Sequence, residues 1–114
     1  MNSKDINVAR HMLAHCERIE RYLSRCNNSL EEFMNDELIQ DGVTMQLLAM
    51  GELTTHFSDE FKAEYPEEID WRNFKQLRNV CAHRYGTLDF KIIWDIATLE
   101  LPQVRSFFDS VTRQ

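Results

Sequence analysis

The chain has 114 residues, 43% of them hydrophobic, with a formal net charge of -6. That length supports one compact domain, residues 1–114, with a single core and no room for a second domain of ordinary size. No run approaches the roughly 18 apolar residues of a membrane helix; three cysteines (Cys16, Cys26, Cys81) cannot all pair within the chain and nothing after Met1 resembles a signal peptide, so a soluble cytoplasmic protein in a reducing compartment is expected.

Only three Gly and two Pro interrupt the sequence, and apolar residues recur at helical spacing almost throughout. An all-α fold is expected, an antiparallel up-and-down bundle of about five helices. The first helix opens near Ser3 and carries Ile6, Ala9, Leu13, Cys16, Ile19 and Leu23 on one side, with a break at Asn27-Asn28. Ser29-Leu30-Glu31-Glu32 has the spacing of a capping box and predicts a short helix. From about Asp36, the residues Ile39, Val43, Leu47, Met50, Thr54, Phe57 and Phe61 keep one seam, which predicts a single long helix. Within it Gly51 suits a close helix approach, and Glu52 reads as a polar packing residue.

Tyr65-Pro66 predicts an interruption, because the residue before a proline is pushed out of the helical region. Asp70 then caps a helix that turns Trp71, Phe74, Leu77 and Cys81 inward and ends near Gly86. Leu88 to Leu99 forms another, with Ile92, Ile93 and Ile96. Pro102 opens the last helix, whose Val104, Phe107, Phe108 and Val111 face the core. No strand alternation, repeat or low-complexity linker is visible.

Between Trp71 and Gly86 lies the segment Arg78-Asn79-Val80-Cys81-Ala82-His83-Arg84-Tyr85. A shuffled chain with 9 Arg, 4 His and 3 Tyr would hold roughly 0.008 copies of this Arg, His and Tyr spacing. The residue types suit phosphodiester chemistry: a permanent cation for phosphate, a titratable imidazole for proton transfer, and a phenol beside them. Local charge points the same way. Residues 28–70 hold twelve acids and one base, Lys62, net -11, whereas residues 72–91 hold Arg72, Lys75, Arg78, Arg84 and Lys91 against Asp89, net +4. Screening acts over about 8 Å at physiological salt, so a phosphate docking at Arg78 feels mainly the positive segment.

On a regular helix Arg78 and Tyr85 lie only about 20° apart, but His83 is turned by roughly 140° from Arg78 and displaced about 7.5 Å along the axis. Either the helix loosens before His83 or a second protomer completes the site. The plainer alternative makes Arg78 and Arg84 solvated helix residues and His83 a capping or buried histidine. Asn79 and Arg84 are candidates for supporting substrate. His11 and His15 stand four apart, but no third ligand has a recognisable spacing, so neither a metal site nor a cofactor is expected.

With Trp71-Arg72-Asn73 before it, Ile93-Trp94-Asp95 after it, and Met50-Gly51-Glu52 and Leu101-Pro102 elsewhere, the Arg-x4-His-x-Tyr motif resembles the HepT toxin family of HEPN ribonucleases over nearly the whole chain. The resemblance implies a metal-independent endoribonuclease, the toxin of a type VII toxin–antitoxin pair, with Arg78 and His83 as its catalytic residues. It also implies a homodimer, and adenylylation of Tyr85 by an MntA-type nucleotidyltransferase antitoxin. Gly86 departs from the further aromatic that many relatives carry after the tyrosine. Two other classes remain open from sequence: a non-catalytic helical partner that presents nucleic acid or nucleotide to a separate nucleotidyltransferase, and a purely structural bundle.

Overall fold

The computed structural model describes residues 1–83 and 87–114, with side chains for residues 1–79 and 87–114. Among the described residues the fold is all-α, as the apolar periodicity predicts. Helix α1 (Ser3–Arg25) starts where the Asn2 side chain accepts a hydrogen bond from the Asp5 backbone N–H at 2.8 Å. It ends at Asn27 and Asn28, whose φ angles of 58° and 52° are in the left-handed region that asparagine tolerates better than most residues. Helix α2 (Leu30–Met34) is capped by Ser29, which accepts from the Glu32 N–H. The capping box is half made. The Ser29 N–H donates to the Cys26 carbonyl instead, and the Glu32 carboxylate takes the Asn27 amide.

Helix α3 (Glu37–Leu53) opens on Asp36, which accepts from the Ile39 N–H. It stops short of the predicted Phe61. The Thr54 hydroxyl donates to the Gly51 carbonyl and the Thr55 hydroxyl to the Glu52 carbonyl, a 3-10 turn follows at Thr54–His56, and Ser58 caps a separate helix α4 (Asp59–Glu64). The competing signal is the Ser58-Asp59-Glu60 start sequence, reinforced by the buried Asp5 carboxylate. Asp5 accepts from the Ser58 N–H at 2.8 Å and its hydroxyl at 2.5 Å, tying α1 to the break. Periodicity survived the break because Phe57 and Phe61 still enter the core, stacked at 4.5 Å.

The chain interrupts at Tyr65-Pro66 as expected, with the Trp71 indole N–H donating to the Tyr65 carbonyl. Helix α5 (Trp71–His83) begins on the Asp70 cap, which accepts from the Asn73 N–H at 2.9 Å. Helix α6 (Phe90–Asp95) is capped by Asp89. Pro102 lies in the first turn of the last helix, α7 (Leu101–Thr112), as expected, and a π-helical turn (Ile96–Glu100) joins α6 directly to it. Proline has no N–H to give to the residue four back, so a widened turn that skips a normal bond there accommodates it.

Helix α1 packs on both α3 and α7, and α3 packs also on α5. His15 meets Gln46 while Asp5 meets Ser58, so α1 and α3 run antiparallel. Buried side chains from these helices, including Met12, Ile19, Phe33, Leu47, Met50, Phe61 and Phe108, form one cluster. Cys16 and Cys26 fill core positions, as expected. Burial pushes the Cys16 thiol up to about 12.

Candidate active site

Helix α5 carries the motif, and α3 fixes where α5 sits. A Cβ built on Gly51 would lie 2.7 Å from Cβ of Arg78 and 3.0 Å from the Phe74 carbonyl oxygen. Only glycine allows this approach, so the expectation for Gly51 holds. The contact places Arg78 directly beside the next residue of α3. Arg78 Nε lies 3.6 Å from Glu52 Oε1, with the arginine side chain 26% and the glutamate 58% exposed. Nη2 of Arg78 donates to Oδ1 of Asn79 at 3.3 Å. The guanidinium is therefore held at two of its nitrogens, and its remaining N–H groups are the ones open to an anion.

Helix α5 continues through His83, so the loosening before His83 that sequence geometry allows is not found. The backbone position of His83 stays about 140° around the axis from Arg78. It falls on the stripe of Arg72, Gln76 and Asn79, which are exposed. The side chain of His83 and the whole of Arg84, Tyr85 and Gly86 lie outside the described residues. So does the side chain of Cys81.

The positive segment is less positive than its sequence suggests, because Lys91 pairs at 2.7 Å with Asp95, just beyond the counted window. Arg72 and Lys75 are exposed on α5. A cavity of about 670 Å³ among the described residues lies elsewhere, between α5 and the α6–α7 rod, and is lined by Phe74, Leu77, Ile93 and Leu101 with Glu67, Glu68, Asp70, Asp89 and Glu100. An apolar floor with acids around it does not suit a phosphate. His15 is engaged with Gln46, its Nδ1 2.6 Å from Oε1. No cluster of three or more potential metal ligands occurs among the described residues, and no described helix is long and apolar enough to cross a membrane.

Glu52 is the residue whose place at the site was least visible in sequence. Its signal was the glycine before it: a position where two helix backbones touch brings its neighbour against the other helix.

The described residues form a helical bundle that presents a partly exposed arginine on the surface of α5, five residues before a histidine. The chain belongs to the family described as Ribonuclease HepT-like, whose model matches residues 12–111. It is 26% identical over 83 residues to a Thermococcus cleftensis protein named "Probable ribonuclease HepT", covering 73% of this chain and 71% of that protein. Over 74 residues it is 30% identical to "Putative RNase MJ0127" of Methanocaldococcus jannaschii, covering 65% of this chain and 60% of the relative. It is 24% identical over 103 residues to "Gamma-glutamylcyclotransferase and putative RNase MJ0434" of the same organism, covering 90% of this chain and 45% of the relative. The chain thus spans only about half of the length of these two Methanocaldococcus jannaschii relatives, 60% of one and 45% of the other. No solved structure matches it.

Proposed function

We propose that the protein is a metal-independent endoribonuclease and the toxin of a toxin–antitoxin pair of type VII. The observation that carries this reading is the partly exposed Arg78 guanidinium, held by Glu52 and Asn79 on the helix that also carries His83, in a member of the Ribonuclease HepT-like family. RNA cleavage without a metal needs a proton taken from the 2′-hydroxyl, a proton given to the departing 5′-oxygen, and neutralisation of charge gathering on the phosphoryl oxygens. Arg78 pairs with those oxygens through its open N–H groups. His83 moves one of the protons, a role worth typically about 10²- to 10⁴-fold. Asn79 holds the guanidinium, and Arg84 adds a second contact to the RNA backbone.

The unbroken helix between Arg78 and His83 favours a homodimer in which His83 of a second copy serves the other half of the reaction. Two exposed apolar residues on one face of α3 support this arrangement: Leu38 is 79% and Met45 57% exposed, with Asp41 between them, and the face leads past half-buried Leu48 to Glu52 beside Arg78. Control falls to an MntA-type nucleotidyltransferase in the cytoplasm, which transfers AMP to the Tyr85 phenol. The added phosphodiester carries a negative charge that pairs with Arg78 in place of RNA.

Purified protein is expected to cleave RNA in EDTA, and Arg78→Ala and His83→Ala to abolish cleavage at unchanged helicity. Loss of wild-type activity on chelation refutes the metal-free mechanism, and full activity in both variants refutes the site. Cleavage by the purified protein alone rejects a role confined to presenting substrate to another enzyme.

A further inference from the structure

We infer that Glu52 is a positioning residue for Arg78, setting the orientation in which the guanidinium meets the scissile phosphate. This inference rests on the ribonuclease reading of the same site. An arginine side chain on a helix surface has several rotatable bonds and samples many orientations unless something fixes it. Here its Nε edge faces the Glu52 carboxylate at 3.6 Å and one Nη2 N–H is taken by Asn79. Fixing those two positions determines which way the rest of the planar fork points, because guanidinium geometry is rigid.

The two residues come from different helices, and their distance is set by a contact that cannot relax. Gly51, next to Glu52, meets the Cα and Cβ of Arg78 itself, with a built Cβ only 3.3 Å from that Cα. The carboxylate is therefore delivered to Arg78 by backbone packing rather than by a flexible search. An ion pair with the glutamate side chain more than half exposed adds little to folding. Its effect belongs to orientation. Asn79, one residue along α5, moves with Arg78 and cannot supply an external reference; Glu52 on α3 can.

The opposite possibility is that Glu52 competes with RNA for the guanidinium, and the two make opposite predictions. A positioning carboxylate raises kcat with little effect on KM, whereas a competitor raises KM and its removal speeds cleavage. Glu52→Gln keeps the shape and removes the charge; Glu52→Asp keeps the charge on a shorter arm. Steady-state cleavage of a defined RNA by the full chain is expected to show kcat lowered about 10- to 100-fold in Glu52→Gln, by analogy with the loss that about 1 Å of misplacement brings. Partial recovery is expected in Glu52→Asp, with the thermal midpoint unchanged in both. In an Arg78→Lys background, Glu52→Gln should cost much less, since the planar fork it orients is gone. A higher kcat/KM in Glu52→Gln, or a full additive loss in the Arg78→Lys background, overturns the inference. The Arg78 Nε–H resonance of the free protein gives a second readout: it is expected to shift and broaden in Glu52→Gln, and an unchanged resonance overturns the inference by itself. Wild-type protein that cleaves no RNA instead overturns the ribonuclease reading, and the resonance still reports on the contact.

Discussion

Replacing Gly51 with alanine adds one methyl group at the tightest approach between α3 and α5. Its carbon would sit 2.7 Å from Cβ of Arg78 and 3.0 Å from the Phe74 carbonyl oxygen. Carbon atoms in ordinary contact lie about 3.5–4.0 Å apart, so α5 has to retreat by about 1 Å. None of the crowded atoms is the end of a flexible side chain. Overpacking of this kind costs about 1–3 kcal/mol, and the better helix propensity of alanine returns about 1 kcal/mol. A net loss near 1 kcal/mol lowers the melting temperature by about 4 °C in a domain of this size. The same retreat displaces Arg78 from Glu52, and cleavage should fall by about 100-fold, far beyond what the stability loss explains. Gly42→Ala is the control. Its new carbon would meet only the edge of the half-buried Tyr22 ring at 3.2 Å, a ring that can turn aside, so the propensity gain dominates and the melting temperature rises. Circular dichroism melts and RNA cleavage on both variants decide the matter. A Gly51→Ala protein that is as stable as Gly42→Ala and fully active refutes the close-contact account of the site.

Asp5→Ala removes the acceptor of two Ser58 hydrogen bonds and is expected to cost about 2–4 kcal/mol in denaturant unfolding, with Ser58→Ala losing part of that. Equal stability of Asp5→Ala and wild type would refute the tie between α1 and the break after α3. The Cys16 thiol, raised by burial to about 12 from its ordinary value of 9.0, should resist alkylating reagents at pH 8 until the protein unfolds. A thiol whose folded pKa is raised contributes stability that is full below the unfolded pKa and is lost as pH climbs from about 9 towards 12. Cys16→Ser should flatten that alkaline loss. Met45→Glu on that exposed face of α3 should weaken self-association by roughly tenfold or more by sedimentation, since burying a methionine is worth about 1.5–3 kcal/mol. Full dimerisation of Met45→Glu would place the two-fold interface elsewhere. Intact-mass spectra after co-expression with an active nucleotidyltransferase partner are expected to show AMP on Tyr85 and none on Tyr85→Phe; absence from the wild type counts against that control.

The all-α class was legible because helical periodicity is a property of which side chains are apolar, and most of those residues reach the core: Ala9, Cys16, Ile19, Val43, Leu47, Met50 and Phe108 are all buried, whereas Ile92 is 56% exposed. Boundaries were legible where a short polar side chain caps a helix, as at Ser29, Asp36 and Asp70. They were misread where periodicity ran through a break. Thr54 and Phe57 kept the seam of α3, yet the two threonine hydroxyls bond back to the helix and Ser58 restarts it. Pro102 stands in the first turn of the last helix, as expected, but the rod does not break before it. A proline marks a discontinuity in the bonding ladder, and a π turn absorbs that discontinuity without ending the rod.

For the candidate site, sequence named Arg78, His83 and Tyr85 but not the neighbours that hold Arg78. The Arg, His and Tyr spacing is local information, whereas the Arg78–Glu52 pair joins residues 26 apart and depends on how closely two helices pack. Gly51 was the clue to that packing, since a glycine in a helix interior costs about 1 kcal/mol against alanine and is retained there for a close approach. The same reasoning limits what one protomer can do. With α5 helical through His83, the Arg78 and His83 backbone positions lie about 140° apart around the axis, and the guanidinium sits between Glu52 on α3 and Asn79, which is one turn before His83 on the exposed stripe of Arg72 and Gln76. A reaction that needs both groups on one phosphate then requires either a reach around the helix or a second copy to close the distance. The requirement for a second copy separates the two in mixing experiments: inactive Arg78→Ala and inactive His83→Ala chains combined should regain one intact site per mixed dimer, about half the activity of a wild-type dimer, only if each site takes its Arg78 from one copy and its His83 from the other.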